Sequence, residues 1–170
     1  SFYYENGQIW KYTFYKNGKI NGKYLFFYDN GQIWKEENYL KGIKDGKWTK
    51  YYDGQKVWEN SYKGGKEHGR WIVYYESGQI KEEKNYKNGK DNGKWIMYYE
   101  NGQKKTEINY IDGQIKNGSY NQYYSNGKIK SKENYKNGKK DDLWSMYYEN
   151  VQIWNSINYN DGVQQGKEIS

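Results

Sequence analysis

The chain is a succession of short runs rich in Tyr, Trp, Ile, Thr and Val, each bounded by polar, glycine-bearing turns. None carries the sustained 3.6-residue apolar period of an amphipathic helix, so the runs read as strands. The pattern repeats: units beginning at Gly22, Gly46, Gly69, Gly93 and Gly118 are spaced 24, 23, 24 and 25 residues apart. A partial unit precedes them. The unit from Leu143 is degenerate, with Asp142 where the leading glycine belongs and Val151 in place of the turn glycine. Residues 1–170 are thus expected to form a single array of about seven repeats of ~24 residues.

Each unit holds two turn signals. Gly7 and Gly18, Gly31 and Gly42, Gly54 and Gly65, Gly78 and Gly89, Gly102 and Gly113, and Gly127 and Gly138 are all 11 residues apart. Asn-Gly at Asn6, Asn17, Asn30, Asn88, Asn101, Asn126 and Asn137 is a strong hairpin signal, because a two-residue turn needs positive φ at both positions. The expected fold is all-β, an elongated single-layer antiparallel meander of tandem hairpins with about thirteen full strands. One turn per unit is expected to be a two-residue hairpin and the other, usually Asn-Gly-Lys-x-x-Gly, a longer loop.

With Asn101-Gly102 as the two-residue turn, Tyr98 faces Lys105, Met97 faces Thr106, Trp95 faces Ile108 and Gly93 faces Tyr110. The tyrosine can then cover backbone that glycine leaves bare. Alternation divides the side chains between two faces. A packing face takes Trp48, Trp71, Trp95 and Trp144 with Tyr28, Tyr52, Tyr75, Tyr99, Tyr124 and Tyr148. The other face takes Phe27, Tyr51, Tyr74, Tyr98, Tyr123 and Tyr147, expected to pair with Trp34, Trp58, Lys81, Lys105, Lys130 and Trp154; Tyr3 and Trp10 begin that ladder. The third copy is irregular, because its Trp58 comes one residue later. A four-residue loop from Asp53 to Lys56 and a bulge between Glu59 and Tyr62 would restore the pattern.

Composition sharpens this picture. Leu, Ile, Val and Phe supply only about 15% of the chain, whereas 23 Tyr and 8 Trp dominate its apolar surface. An aliphatic core is excluded, and rings must do the covering. No run of about 18 apolar residues suggests a membrane helix. There is no Cys, hence no disulfide and no thiolate metal site. Pro and Ala are missing while Lys, Asn, Ile and Tyr abound, which resembles the product of an AT-rich bacterial genome. Residue 1 falls inside a repeat, as expected if an N-terminal segment has been removed.

At this level the residues resemble a known family. The pattern G-K-W-x-x-Y-Y-x-N-G-Q-I-x-x-E-x-x-Y-x-N-G-K, best kept in Gly69 to Lys90 and Gly93 to Gly113, is similar to the bacterial MORN repeat variant, whose members are often named as YwqK-family antitoxins. The resemblance implies an extended sheet of successive hairpins and neutralisation of a toxin by binding. MORN arrays more broadly imply protein assembly and, less securely, contact with phospholipid. The departures at Asp142 and Val151 put the last hairpin in question and suggest a terminal cap.

Catalysis needs unlike groups brought together once, and this chain repeats like groups, so no enzyme, metal site or cofactor is expected. The single histidine, His68, reads as a solvated loop residue. The acidic column Glu5, Asp29, Asp53, Glu76, Glu100 and Glu149 reads as a set of solvated turn flanks. The charge of +7 is spread among mixed signs. Lys81, Lys105 and Lys130 beside tyrosines form a basic aromatic strip; sheet covering is its plainer reading, anionic lipid a weak second, and nucleic acid is not expected. The candidate anchors for a protein partner, a toxin or a surface protein, are Tyr3, Trp10, Phe27, Trp34, Tyr51, Trp58, Tyr147 and Trp154. The alternatives are a carbohydrate or cell-wall binding module and a scaffold that joins chains edge to edge.

Overall fold

The computed structural model describes residues 1–115 and 117–169, which are strands and turns throughout, with no helix. Contacts divide the chain into two compact units: Ser1–Gln79 with Tyr86–Gly89, and Ile80–Asn85 with Lys90–Ser170. In the first, the strands Phe2–Tyr3, Ile9–Lys16, Lys19–Phe27, Ile33–Leu40, Gly46–Tyr52, Gln55–Lys63 and Gly69–Tyr74 each pair antiparallel with the next. In the second, Ile80–Asn85 opens a meander continued by Gly93–Tyr98, Lys104–Tyr110, Asn117–Tyr123, Ile129–Lys136, Asp142–Tyr147, Ile153–Asn160 and Val163–Ile169. This is the expected hairpin meander.

The two turn classes are the reverse of the expectation. Asn-Gly-Lys-x-x-Gly holds the two-residue turn: Asn17 and Gly18 have φ of 51° and 72°, and Lys16 faces Lys19. Asn88-Gly89 and Asn137-Gly138 share that left-handed pair. Both residues of a type I′ turn need this conformation, and it matches the twist of the strands it joins. In four repeats the two residues after the turn form a short strand of their own, Ile43–Lys44, Lys66–Glu67, Lys90–Asp91 and Lys139–Lys140; with the two-residue Phe2–Tyr3 also set aside, fourteen of the nineteen strands among the described residues are full ones, where about thirteen were expected.

The other turn has three residues. The Tyr99 N–H donates to the Gln103 carbonyl at 2.8 Å and the Gly102 N–H to the Tyr99 carbonyl at 2.9 Å. Of Asn101 and Gly102, only Gly102 is left-handed, at φ 82°. Asn101 acts instead through its side chain, whose Oδ1 accepts the Gln103 N–H at 3.0 Å. Asn6, Asn30, Asn126 and Asn150 make the same bond.

The third turn residue is offset by a β-bulge. Tyr98 faces Lys104, not Lys105, while Met97 faces Thr106, so Lys105 is the extra residue. From there to Gly93, which faces Tyr110, the register is the expected one. One added residue at the tip and one bulged out below it cancel. The same step occurs where Phe27 faces Ile33, Tyr3 faces Ile9, Tyr123 faces Ile129 and Tyr147 faces Ile153.

The irregular third copy resolves differently from the expectation. Asp53 and Gly54, at φ 48° and 74°, form a two-residue turn between Tyr52 and Gln55. The bulge falls at Val57, so Tyr51 faces Lys56 and Lys50 faces Trp58. From Trp58 to Tyr62 the pairing is continuous, and the expected bulge between Glu59 and Tyr62 is not there. The degenerate last hairpin keeps the common form, with Asp142 facing Tyr159 and the Val151 N–H donating to the Tyr148 carbonyl at 2.9 Å.

Few side chains are fully buried. The buried hydrophobics among the described residues are Trp48, Ile72, Ile96 and Ile108. Part of the remaining apolar surface is covered by rings set edge to edge and by lysine stems, while side chains such as Tyr3, Phe14, Tyr15 and Val163 stay exposed.

Candidate functional site

Alternation and the leading-strand register bring the ring of the leading strand, Trp in most repeats and Tyr at Tyr24 and Tyr120, together with one Tyr of the return strand as a ladder. In the first unit, ring centroids run from Tyr24 to Tyr39 at 6.4 Å, to Trp48 at 5.3 Å, to Tyr62 at 5.2 Å, to Trp71 at 6.0 Å and to Tyr86 at 4.9 Å. In the second, Trp95 meets Tyr110 at 5.9 Å, and Trp144 lies 5.3 Å from Tyr135 and 5.2 Å from Tyr159. Ammonium groups cap the rings: Lys44 stands 4.3 Å over Trp48, Lys84 4.2 Å over Trp95 and Lys140 4.0 Å over Trp144. Each such contact is worth about 0.5–1 kcal/mol near solvent.

Indole N–H groups fasten the ladder to backbone. Trp48 donates to the Asn38 carbonyl at 3.0 Å and Trp144 to that of Asn134 at 2.9 Å. The same asparagines reach back, the Asn134 amide donating to the Leu143 carbonyl at 2.8 Å and the Asn38 amide to the Lys47 carbonyl. The Asn85 amide likewise donates to the Lys94 carbonyl at 3.1 Å, but the Trp95 indole N–H there has no partner among the described residues. Sequence reasoning missed this clasp, although its signal is plain in Asn38-Tyr39, Asn85-Tyr86 and Asn134-Tyr135. A second set of rungs comes from the tyrosine before each tip. Tyr4 donates to the Phe27 carbonyl at 2.7 Å, Tyr28 to that of Tyr51 at 3.1 Å, Tyr99 to that of Tyr123 at 2.9 Å and Tyr124 to that of Tyr147 at 2.7 Å.

The bulge redistributes the candidate anchors. It reverses the alternation beyond it, so Trp34 lies 5.9 Å from Phe26 and 6.3 Å from Tyr28 instead of opposite Phe27. Trp10 packs at 6.5 Å on Phe2 and 6.4 Å on Tyr4, not on Tyr3, and Trp154 at 6.3 Å on Tyr148, not on Tyr147. Trp58 faces Lys50 and Val73, not Tyr51. These indoles therefore join the ladder face, while Tyr3, Phe27, Tyr51 and Tyr147 fall on the opposite one. Trp10 and Trp154 remain 39% and 40% exposed, large for tryptophan, and Trp34 and Trp58 are half-buried. Lys105 and Lys130, also bulge residues, stand 5.8 Å and 5.6 Å over Tyr99 and Tyr124 and not beside Tyr98 and Tyr123; Lys81 is exposed.

The opposite face carries two clusters of paired charges, around Glu59 and Glu107. Glu59 accepts from Tyr74 at 2.9 Å, from Lys56 at 3.0 Å and from Lys47 at 3.3 Å. Burial pushes this carboxyl up, but the bonds from Lys56 and Tyr74 and the Lys47 charge outweigh it and hold it below its ordinary value. Glu107 is held down in the same way by Lys104 at 2.6 Å and Lys94 at 2.8 Å. His68 is half-buried rather than solvated, its N–H bound to the Ser61 carbonyl at 2.9 Å and its Nδ1 shielded with no partner among the described residues. The acidic tip residues Glu5, Asp29, Asp53, Glu76, Glu100 and Glu149 are exposed as expected.

No curated protein matches the sequence. The family described as MORN repeat variant matches over residues 1–17, 20–41, 67–88, 91–112 and 116–137. The stretches between and after these matches contain the shortened Asp53-Gly54 turn and the hairpin carrying Asp142 and Val151.

Proposed function

The chain belongs to the MORN repeat variant family, and we propose on that premise that it is a non-enzymatic module that holds a protein partner against the ladder face. Repeats of this family are generally protein- or membrane-binding modules with no catalytic role. The observation that carries the proposal is the placement of Trp10 and Trp34. The bulge sets both on the ladder face, and each is bordered by a lysine, with Lys11 4.3 Å over Trp10 and Lys35 5.3 Å over Trp34. Indoles that are neither in the fastened ladder nor buried are suited to anchor a partner, and the neighbouring lysines to orient it.

The finer reading is that the partner is a toxin whose action is blocked by occlusion, as the antitoxins named for this repeat imply. The experiment compares wild type, the Trp10→Ala/Trp34→Ala variant and the opposite-face variant Phe27→Ala/Tyr51→Ala in co-purification from the native cell, with far-ultraviolet dichroism confirming folded sheet. Loss of one co-purifying protein with the indole variant alone supports the proposal; equal recovery by all three overturns the choice of face. Growth arrest by the recovered protein, relieved by co-expression of this chain, would establish the toxin reading, and absence of arrest would reject it.

A further inference from the structure

At the shortened third turn a cleft of about 300 Å³ opens, lined by Tyr52, Tyr74, Tyr75, Val57, Asp53 and Glu76, with Gln55 and Lys56 at its side. Two sequence features coincide there. The tip has one residue fewer than the three-residue turns, and the bulge position carries Val57 where other repeats carry Trp10, Trp34, Lys105, Lys130 or Trp154. The other repeats show what such a position normally holds over the ring before the tip: an indole at Tyr4, Tyr28 and Tyr148, and an ammonium at Tyr99 and Tyr124. Beside Tyr52, which is 70% exposed, the bulge position brings only Val57 to the cleft lining, and no ring or ammonium contact to Tyr52 is found among the described residues.

Charge decides between the two occupants. Asp53 and Glu76 bring two exposed carboxylates to the cleft, and neither has an ion-pair partner among the described residues. The one cation of the lining, Lys56, is bound to Glu59 at 3.0 Å and stands 6.0 Å from the Tyr74 ring. Tyrosine faces flanked by uncompensated carboxylates attract a cation and gain little from a neutral indole. We infer that this cleft receives a lysine or arginine side chain of the protein partner, its charged head over Tyr52 in the place that Lys105 and Lys130 take over Tyr99 and Tyr124. The inference rests on the protein-binding reading and gives that partner a basic contact residue.

The cleft is tested without the partner, so that failure here is separable from failure of the ladder face. N-acetyl-lysine amide, N-acetyl-arginine amide and neutral N-acetyl-norleucine amide are titrated into the labelled full chain, following the Gly54 amide and the Tyr52 and Tyr74 ring resonances. The cationic amides are expected to shift these signals saturably and the norleucine amide not to. Val57→Lys, which supplies an ammonium from within, should abolish the shifts while the thermal transition stays in place. Tyr52→Ala should weaken binding by roughly threefold to thirtyfold, and Glu76→Gln should weaken it too. Equal shifts with all three amides, undiminished binding by folded Val57→Lys, or binding of tetramethylammonium but of neither cationic amide would overturn the assignment.

Discussion

Val151 holds φ at 67°, in the left-handed region where a β-branched side chain crowds its own backbone, yet its N–H makes the same 2.9 Å bond as the glycines it replaces. The turn forms at the expense of local strain. Val151→Gly is therefore expected to raise stability by about 1 kcal/mol in urea titration, and a decrease would show that the Val151 side chain contributes packing outweighing its strain. A second contrast lies between two carboxylates on the ladder face. Glu37 is only 4% exposed but has Lys35 at 2.7 Å and the Tyr39 hydroxyl at 2.8 Å. Glu133 has the Tyr135 hydroxyl at 3.2 Å, while Ser131 stands where Lys35 would be, its Oγ without a partner among the described residues. Burial accordingly pushes the Glu133 carboxyl up. Ser131→Lys should bring it down, read from the carboxyl carbon shift during an acid titration. Tyr135 is pushed up to about 12 by burial and by the Glu133 charge. A phenol whose folded value exceeds the ordinary ~10 binds more protons folded than unfolded between the two. Its contribution to stability is present below pH ~10 and is lost as pH rises towards about 12. In Tyr135→Phe that part of the alkaline decline should vanish.

Hairpins are the unit at which the sequence was most legible. The spacing of paired glycines fixed the meander, and the expected contacts of Trp95 with Ile108 and Gly93 with Tyr110 are present, because they lie below the bulge. What escaped was local. Asn-Gly supports two turns, one using positive φ at both residues and one using the asparagine side chain as acceptor, and the dipeptide alone does not distinguish them. A bulge likewise leaves no composition mark. Since it reverses the faces beyond it, the side of Trp10, Trp34 and Trp154 was misread while the body of each hairpin was right. The third copy isolates the effect of tip length. Gln55 faces Tyr52 across two residues, whereas Gln32 accepts from Tyr28 across three, and both hairpins carry a bulge below. Inserting Asn between Asp53 and Gly54 should therefore leave the cross-strand pair of Trp48 and Asn60 intact by nuclear Overhauser contacts; displacement of that pair would show that the tip governs the register. The tyrosine rungs act between hairpins. Tyr124→Phe removes the 2.7 Å bond to the Tyr147 carbonyl and should cost about 1 kcal/mol by denaturant titration.

For the molecule as a whole, the scarcity of fully buried side chains has an energetic counterpart. The chain leaves 10891 Å² accessible, against about 8,900 Å² for a compact monomer of this mass. Less surface is hidden, so less is released on unfolding. The urea dependence of its unfolding free energy should be shallower than that of a compact domain of equal length, and a slope at or above that of such a domain would mean that far more surface is covered in solution. Cohesion comes instead from ring contacts, clasps and rungs repeated along each unit, each small and local. The continuous pairing below the bulge, found under both tip lengths, carries a wider lesson. Because the sheet beneath keeps its alignment whether a tip has two residues or three, the tips are places where codons can be gained or lost without scrambling either face. Lineages of such proteins are free to vary what they display at the rim, and a foreign epitope spliced there should be carried without disturbing the scaffold below.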